Sequence, residues 1–459
     1  MSVSRIVAVV ALAVGLPALA PLPVAEAIRP PAIDESALPA PAEPKPPVPT
    51  EKQSECTTAT FNGGLASTGT QLAPFDLPAL HALTTGAGQK VAVIDTGVAT
   101  HPQLARVILG GDYVSTGHGR EDCDAHGTLV AGIIAATPDA AGFAGIAPGV
   151  SVIAIRQSSV KYRAVDGHSS GNVDTLAMAV RTAADLGATV INISAVACTE
   201  GVTLHDRALG AAVAYAVDVK DAVIVVAAGN VGPGGNCPQQ NPPPNPARRP
   251  EPDWETADIV VSPGWYDDYV LTVGSVGADG SPSSFSLTGP WVDVAAPGEA
   301  VVSLNPAGTG LANTYRGGSG STISGTSYAA PIVSGLAALV RSRFPELSAR
   351  QVMQRIETTA HRPLDGWNPY VGSGVVDPLP ALTDGTPSAP PAWAQRPIEP
   401  TPPPRAPETS GRSTAFKGVA GCAAFLAAAL ALMAPANRLI RRRQGREQDR
   451  HAPPAPPRG

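Results

Sequence analysis

The chain has 459 residues, 44% hydrophobic and only 15% charged, which is enough apolar content for one large core and rules out disorder throughout. Its 49 prolines crowd into the stretches before Cys56, around 242–252 and beyond Thr386, which read as linkers and loops around one α/β domain of roughly 250–300 residues. The net charge of −6 includes a basic end, where seven Arg from Arg438 onward face only Glu447 and Asp449; the acidic body that remains offers no basic face for nucleic acid.

At the N-terminus Arg5 precedes an apolar run over 6–19, with small residues at Ala18, Ala20, Ala25 and Ala27. This is the pattern of a secretory signal, assigned to 1–27, with cleavage after Ala20 or after Ala27 fitting equally. A Pro-rich N-terminal extension follows over 28–89. From Lys90 the pattern becomes regular: apolar runs at 91–94, 152–155, 190–193, 223–227 and 270–273 alternate with helical periodicity at 128–136, 173–186, 205–217, 328–344 and 349–359. Continuously apolar strands separated by helices predict an α/β domain over 90–383, with a doubly wound, mostly parallel sheet and helices on both faces. Functional residues are then expected where strands end and loops begin. The insertion over 236–253 is too long and too rich in Pro and Asn for a tight turn.

A Pro-rich linker over 384–413 leads to a predicted transmembrane helix at 414–437, whose centre holds about 19 residues without a charge, near the ~20 needed to cross a bilayer. Lys417 precedes that uncharged run, and Arg438, Arg441, Arg442 and Arg443 follow at once. The positive-inside rule therefore makes 438–459 a basic cytoplasmic tail and puts the main body outside the cell membrane on a single-pass anchor. Four cysteines, Cys56, Cys123, Cys198 and Cys237, fall in the exported part and predict two disulfides, with all three pairings open at this level. No pair has C-x-x-C spacing, so a zinc site is disfavoured and no metal is assigned.

Four motifs carry chemistry. The run VAVIDTG sets Asp95 at the end of a buried strand, and DAHGTLVAGIIA sets His126 just before a helix whose apolar residues repeat at helical spacing. Histidine serves as a general base near neutral pH. SGTSYAAPIVSGLAALV places Ser327 at a helix N-terminus, where free N–H groups and the helix dipole favour developing negative charge. VIVVAAGN ends a strand at Asn230, whose amide can donate to the same oxyanion. Each motif alone also fits a cap or a turn. Their joint occurrence at strand–helix junctions does not.

Asp, His and Ser in that chain order resemble the subtilisin-like serine proteases over about 91–380. The runs SPGWYDDYVLTVGSV and SGTSYAAPIVSGLAALVRSRFPELSARQVMQRIE are similar to segments of the mycosins, membrane-anchored members associated with type VII secretion. So is Tyr328, where most subtilisins carry Met. The resemblance implies a serine endopeptidase with Ser327 as nucleophile, His126 as proton carrier, Asp95 as its orienting carboxylate and Asn230 in the oxyanion hole, needing no cofactor. It also implies the pairs Cys56–Cys123 and Cys198–Cys237, protein substrates, and a type VII secretion membrane complex as partner. Ser194 and Val196, in the run VINISAVA, fall beside the pocket for the substrate residue before the cut. Val196 stands where subtilisins usually have glycine, so a narrower cleft and selective processing are expected. The competing expectation is a component whose main role is to stabilise the secretion complex. The first implied bridge would fasten the extension three residues from His126, which favours its retention, with a propeptide that is later removed as the alternative.

Overall fold

The computed structural model describes residues 28–63, 70–138, 142–201, 204–244, 251–316, 322–364 and 366–383. The signal segment, the Pro-rich linker, the predicted membrane helix and the basic tail lie outside these residues. Among the described residues no helix is long and apolar enough to cross a membrane.

In chain order the elements are β1 (Thr50–Lys52), β2 (Ala59–Thr60), α1 (Leu77–Leu83), β3 (Lys90–Asp95), β4 (Val107–Asp112), α2 (Gly127–Ala135), β5 (Ser151–Arg156), β6 (Ser159–Ala164), β7 (Ser169–Ser170), α3 (Val173–Asp185) and β8 (Val190–Ile193). They continue with β9 (Ala197–Glu200), α4 (Arg207–Ala214), β10 (Val223–Ala227), β11 (Ile259–Ser262), β12 (Leu271–Val276), β13 (Val294–Pro297), β14 (Ser303–Leu304), β15 (Leu311–Ala312), β16 (Thr314–Tyr315), α5 (Thr326–Arg343), α6 (Ala349–Thr359) and α7 (Pro378–Leu382).

Seven strands form one parallel sheet in the order β13-β12-β10-β8-β3-β5-β4. Its central strands are buried at nearly every position, as strands covered on both faces must be, which is why they read as runs rich in Val, Ile and Ala. Helices α2 and α5 pack together against one face, and α3 with α4 against the other. From β3 the chain passes to β4 and returns through β5, then crosses to β8 and runs outward to β13. The strand order therefore reverses at β3, and a crevice opens at the carboxyl ends of β5, β3 and β8.

Helix α5 is buried from Thr326 to Val340 and contains Pro331. A proline there cannot donate to the carbonyl four residues back, which belongs to Ser327. The predicted helix over 205–217 ends earlier as α4, and its last turn over Tyr215–Val219 widens to π geometry.

The extension is part of the body. Strand β1 pairs antiparallel with β6, which also pairs with β7, and β2 pairs with β16. Cys56 is bonded to Cys123, and Cys198 to Cys237, the pairing implied by the resemblance.

Candidate active site

Asp95 ends β3 at the switch point and is 2% exposed. Two glycines bring it beneath His126. Gly97, at φ +111°, has no room for a side chain because a Cβ would lie 2.0 Å from the Glu121 carbonyl oxygen. At Gly127 a Cβ would lie 2.1 Å from the Gly97 carbonyl oxygen and 3.1 Å from the Asp95 Cβ. The start of α2 thus rests directly on the end of β3. His126 Nδ1 lies 2.7 Å from Asp95 Oδ1, which also accepts from the Thr96 backbone N–H at 2.7 Å.

The far side of the imidazole meets α5, where His126 Nε2 is 2.9 Å from Ser327 Oγ. Side chains separated by 31 and 201 residues in sequence therefore form one hydrogen-bonded line. The His126 side chain is 25% exposed and faces the crevice, while its carboxylate partner at 2% does not. Burial opposes charge on the imidazole, but Asp95, by charge and hydrogen bond, together with the carboxylates of Asp122 and Asp124, outweighs it and raises the His126 pKa above 6.5.

The segment that carries His126 is anchored residue by residue. The carboxylate of Asp122 accepts from Thr96 Oγ1 at 2.8 Å, the Thr128 backbone N–H at 2.8 Å and Thr128 Oγ1 at 2.6 Å. Cys123 is bonded to Cys56, and its carbonyl accepts from Thr57 N–H. Asp124 accepts from Ser159 Oγ and from the Val160 N–H of β6. These ties hold Ala125 at φ 62°, a left-handed conformation costing roughly 1–2 kcal/mol for a residue with a Cβ, immediately before the histidine.

Ser327 is the second residue of α5, so its N–H has no partner four residues back. Asn230 follows β10, and its Oδ1 accepts from Thr326 N–H at 2.9 Å and from Thr326 Oγ1 at 3.1 Å. That fixes the amide with Nδ2 pointing onward. A Cβ at Gly325 would lie 3.2 Å from Ser327 Oγ and 3.7 Å from Asn230 Nδ2, so hydroxyl and amide border one small space that glycine leaves open.

Val196 lines a cleft of about 440 Å³ together with Gln157, Ser158, Ala195, Asn236 and the extension residue Gln53. Ser194 turns inward instead: its hydroxyl donates to the Ser327 carbonyl at 2.9 Å and accepts from Asn192 Nδ2 at 2.9 Å, while Ser334 Oγ donates to Asn192 Oδ1 at 2.8 Å. This buried chain replaces the helical donor that Pro331 lacks. Sequence reasoning missed that role, although the proline four residues after the serine was its visible signal. The second disulfide stands behind Asn230, with Cys237 N–H donating to the Asn230 carbonyl at 2.9 Å.

The profile of the subtilase family matches residues 86–387. Mycosin-4 of Mycobacterium tuberculosis is 55% identical over 436 residues, spanning 91% of this chain and 93% of its own length. The chain belongs to the subtilase family, among the mycosins. It is thus a subtilisin-like serine protease by family. The crystal structure of MycP1 from the ESX-1 type VII secretion system matches with a TM-score of 0.73 at 43% identity, covering 81% of this chain and 99% of that one. A chain in the structure of an intact ESX-5 inner membrane complex matches with a TM-score of 0.72 at 42% identity, covering 88% of this chain and 99% of that one. Among the described residues no cluster of three or more His, Cys, Asp or Glu is arranged to hold a metal ion.

Proposed function

We propose that this mycosin is a serine endopeptidase held on the outer side of the cell membrane, acting with a type VII secretion membrane complex on proteins exported through it. The observation that carries the reading is the line Asp95–His126–Ser327, with 2.7 Å and 2.9 Å between successive groups. In the first step Ser327 Oγ attacks the peptide carbonyl while His126 Nε2 takes its proton, and Asp95 stabilises the resulting imidazolium. Asn230 Nδ2 and the Ser327 N–H receive the oxyanion, and His126 returns the proton to the leaving amine. Water then repeats the sequence in reverse on the acyl-enzyme.

The boundaries proposed are signal 1–27, extension 28–89, peptidase domain 90–383, linker 384–413, membrane helix 414–437 and cytoplasmic tail 438–459. Retention of the extension is supported by its bond to Cys123 and its two strand pairings. A serine-directed fluorophosphonate applied to the full chain should label Ser327, and Ser327→Ala should abolish labelling. Equal labelling of wild type and variant would overturn the assignment.

A second reading, in which the chain chiefly stabilises the complex, is favoured by its similarity to a chain within the ESX-5 inner membrane assembly. Secretion that survives Ser327→Ala but is lost on deletion of the chain would establish it. Secretion lost in both would favour the protease.

A further inference from the structure

Tyr328 follows the nucleophile directly, at the position singled out in the sequence because subtilisins usually carry Met there. It is 3% exposed, and its ring lies against the His126 imidazole, with centroids 4.9 Å apart and planes tilted by 42°. Its hydroxyl is 2.7 Å from the hydroxyl of Tyr315 at the end of β16. That strand is held by the extension: Tyr315 sits opposite Ala59, Asn313 N–H donates to the Thr60 carbonyl, and Arg316 N–H donates to the Thr58 carbonyl. A few residues earlier Thr57 N–H reaches the Cys123 carbonyl. The segment 56–60 thus touches both approaches to the histidine, one through Cys123 and the other through the two tyrosines.

We infer that Tyr328 is a positioning residue for His126, and that Tyr315 locks it in place, so the docked extension is a working part of the active site. The inference rests on the triad reading above. Physically, the ring closes one face of the imidazole and leaves Nδ1 and Nε2 to Asp95 and Ser327. A π face within about 6 Å also favours the imidazolium that forms as the serine attacks. The hydroxyl pair fixes the ring's angle, because a phenol with a buried hydroxyl turns toward its partner. The charged and titratable groups around the imidazole are Asp95 from β3, Asp122 and Asp124 from its own segment, and Tyr328 from α5, with Tyr315 behind it.

The test uses the full chain and diisopropyl fluorophosphate, a probe small enough to report activation of the hydroxyl without a substrate. Tyr315→Phe and Tyr328→Phe should each lower the maximal labelling rate roughly three- to tenfold, the value of one neutral hydrogen bond, with half-saturation unchanged. The double variant should lose no more than the worse single one, because both remove the same contact. Tyr328→Leu should also move the acidic inflection of labelling downward by about half a pH unit, since the imidazolium loses its aromatic face. Wild-type rates in both Phe variants, a loss confined to half-saturation, or losses that multiply would overturn the inference while leaving the triad intact. If Tyr328→Leu fails to fold, Tyr315→Phe decides the matter alone. A wild type that takes no label at Ser327 would overturn the triad reading, and this inference with it.

Discussion

Ser194→Ala tests whether the buried polar chain behind the nucleophile holds it in place. The substitution removes the donor to the Ser327 carbonyl and the acceptor of Asn192 Nδ2, leaving two buried groups without these partners. Each such orphan costs about 1–3 kcal/mol, so the domain should lose about 2–6 kcal/mol in all. Part of that cost is specific to Pro331, because any other residue at 331 would present an N–H to the Ser327 carbonyl as in an ordinary helix. Pro331→Ala should therefore restore about 1–2 kcal/mol in the Ser194→Ala background while gaining less in wild type, a coupling that a double-mutant cycle isolates. Urea unfolding at constant slope measures the stabilities, and the fluorophosphonate labelling rate reports whether Ser327 stays aligned. Strict additivity of the two substitutions, or a loss under about 0.5 kcal/mol for Ser194→Ala, would refute the reasoning.

Asn230→Ala should slow labelling and peptide hydrolysis by about 10²–10³ with little change in binding, because its Nδ2 donates to the developing oxyanion and not to the ground-state substrate; an equal loss in binding would point to collapse of the loop that its Oδ1 ties to Thr326. The labelling rate should rise with pH through an inflection above 6.5, since only neutral His126 accepts the serine proton and the surrounding carboxylates hold the imidazolium; an inflection below 6.5 would contradict that electrostatic account. Burial, aided by the neighbouring charges of Asp268 and Glu357, pushes the Asp267 carboxyl from its ordinary 3.8 up to about 7, and its Oδ1 has no hydrogen-bond partner. Between those values the folded chain keeps a proton that the unfolded chain releases, so stability falls as pH rises across about 4 to 7. Asp267→Asn should raise the melting temperature at pH 8 and leave it unchanged near pH 4, and equal curves at both values would exclude the effect. Val196→Gly should deepen the cleft and admit larger residues before the cut, read from cleavage of a peptide library; an unchanged preference would place the restriction elsewhere.

Much of the centre of the molecule was legible in the residues. Strands such as 190–193 and 223–227 and the helix at 349–359 stand where periodicity set them, because an element buried on both faces or amphipathic at 3.6-residue spacing writes its own environment into its side chains. The sheet's outer strands β4 and β13 escaped notice. VILGGD carries two glycines and an exposed Leu109, and VAAP is short and ends in proline, so neither shows a strong strand pattern until a neighbour supplies the ladder. The small pairings of β1 and β2 are likewise invisible locally, since two or three residues become strands only by meeting β6 and β16.

The site divides in the same way. Sequence by itself singled out Asp95, His126, Ser327 and Asn230 as candidates and set each near the end of a strand or the start of a helix, because those positions depend on neighbours within a few residues. Tertiary structure alone decided that Ser194 supports the nucleophile's carbonyl, that Ala125 is held in a left-handed turn, that Asp122 and Asp124 share in the field on the imidazole, and that the extension reaches the histidine through two tyrosines. These are contacts between segments tens to hundreds of residues apart, created when the sheet closes, and no local pattern of side chains records a partner that distant.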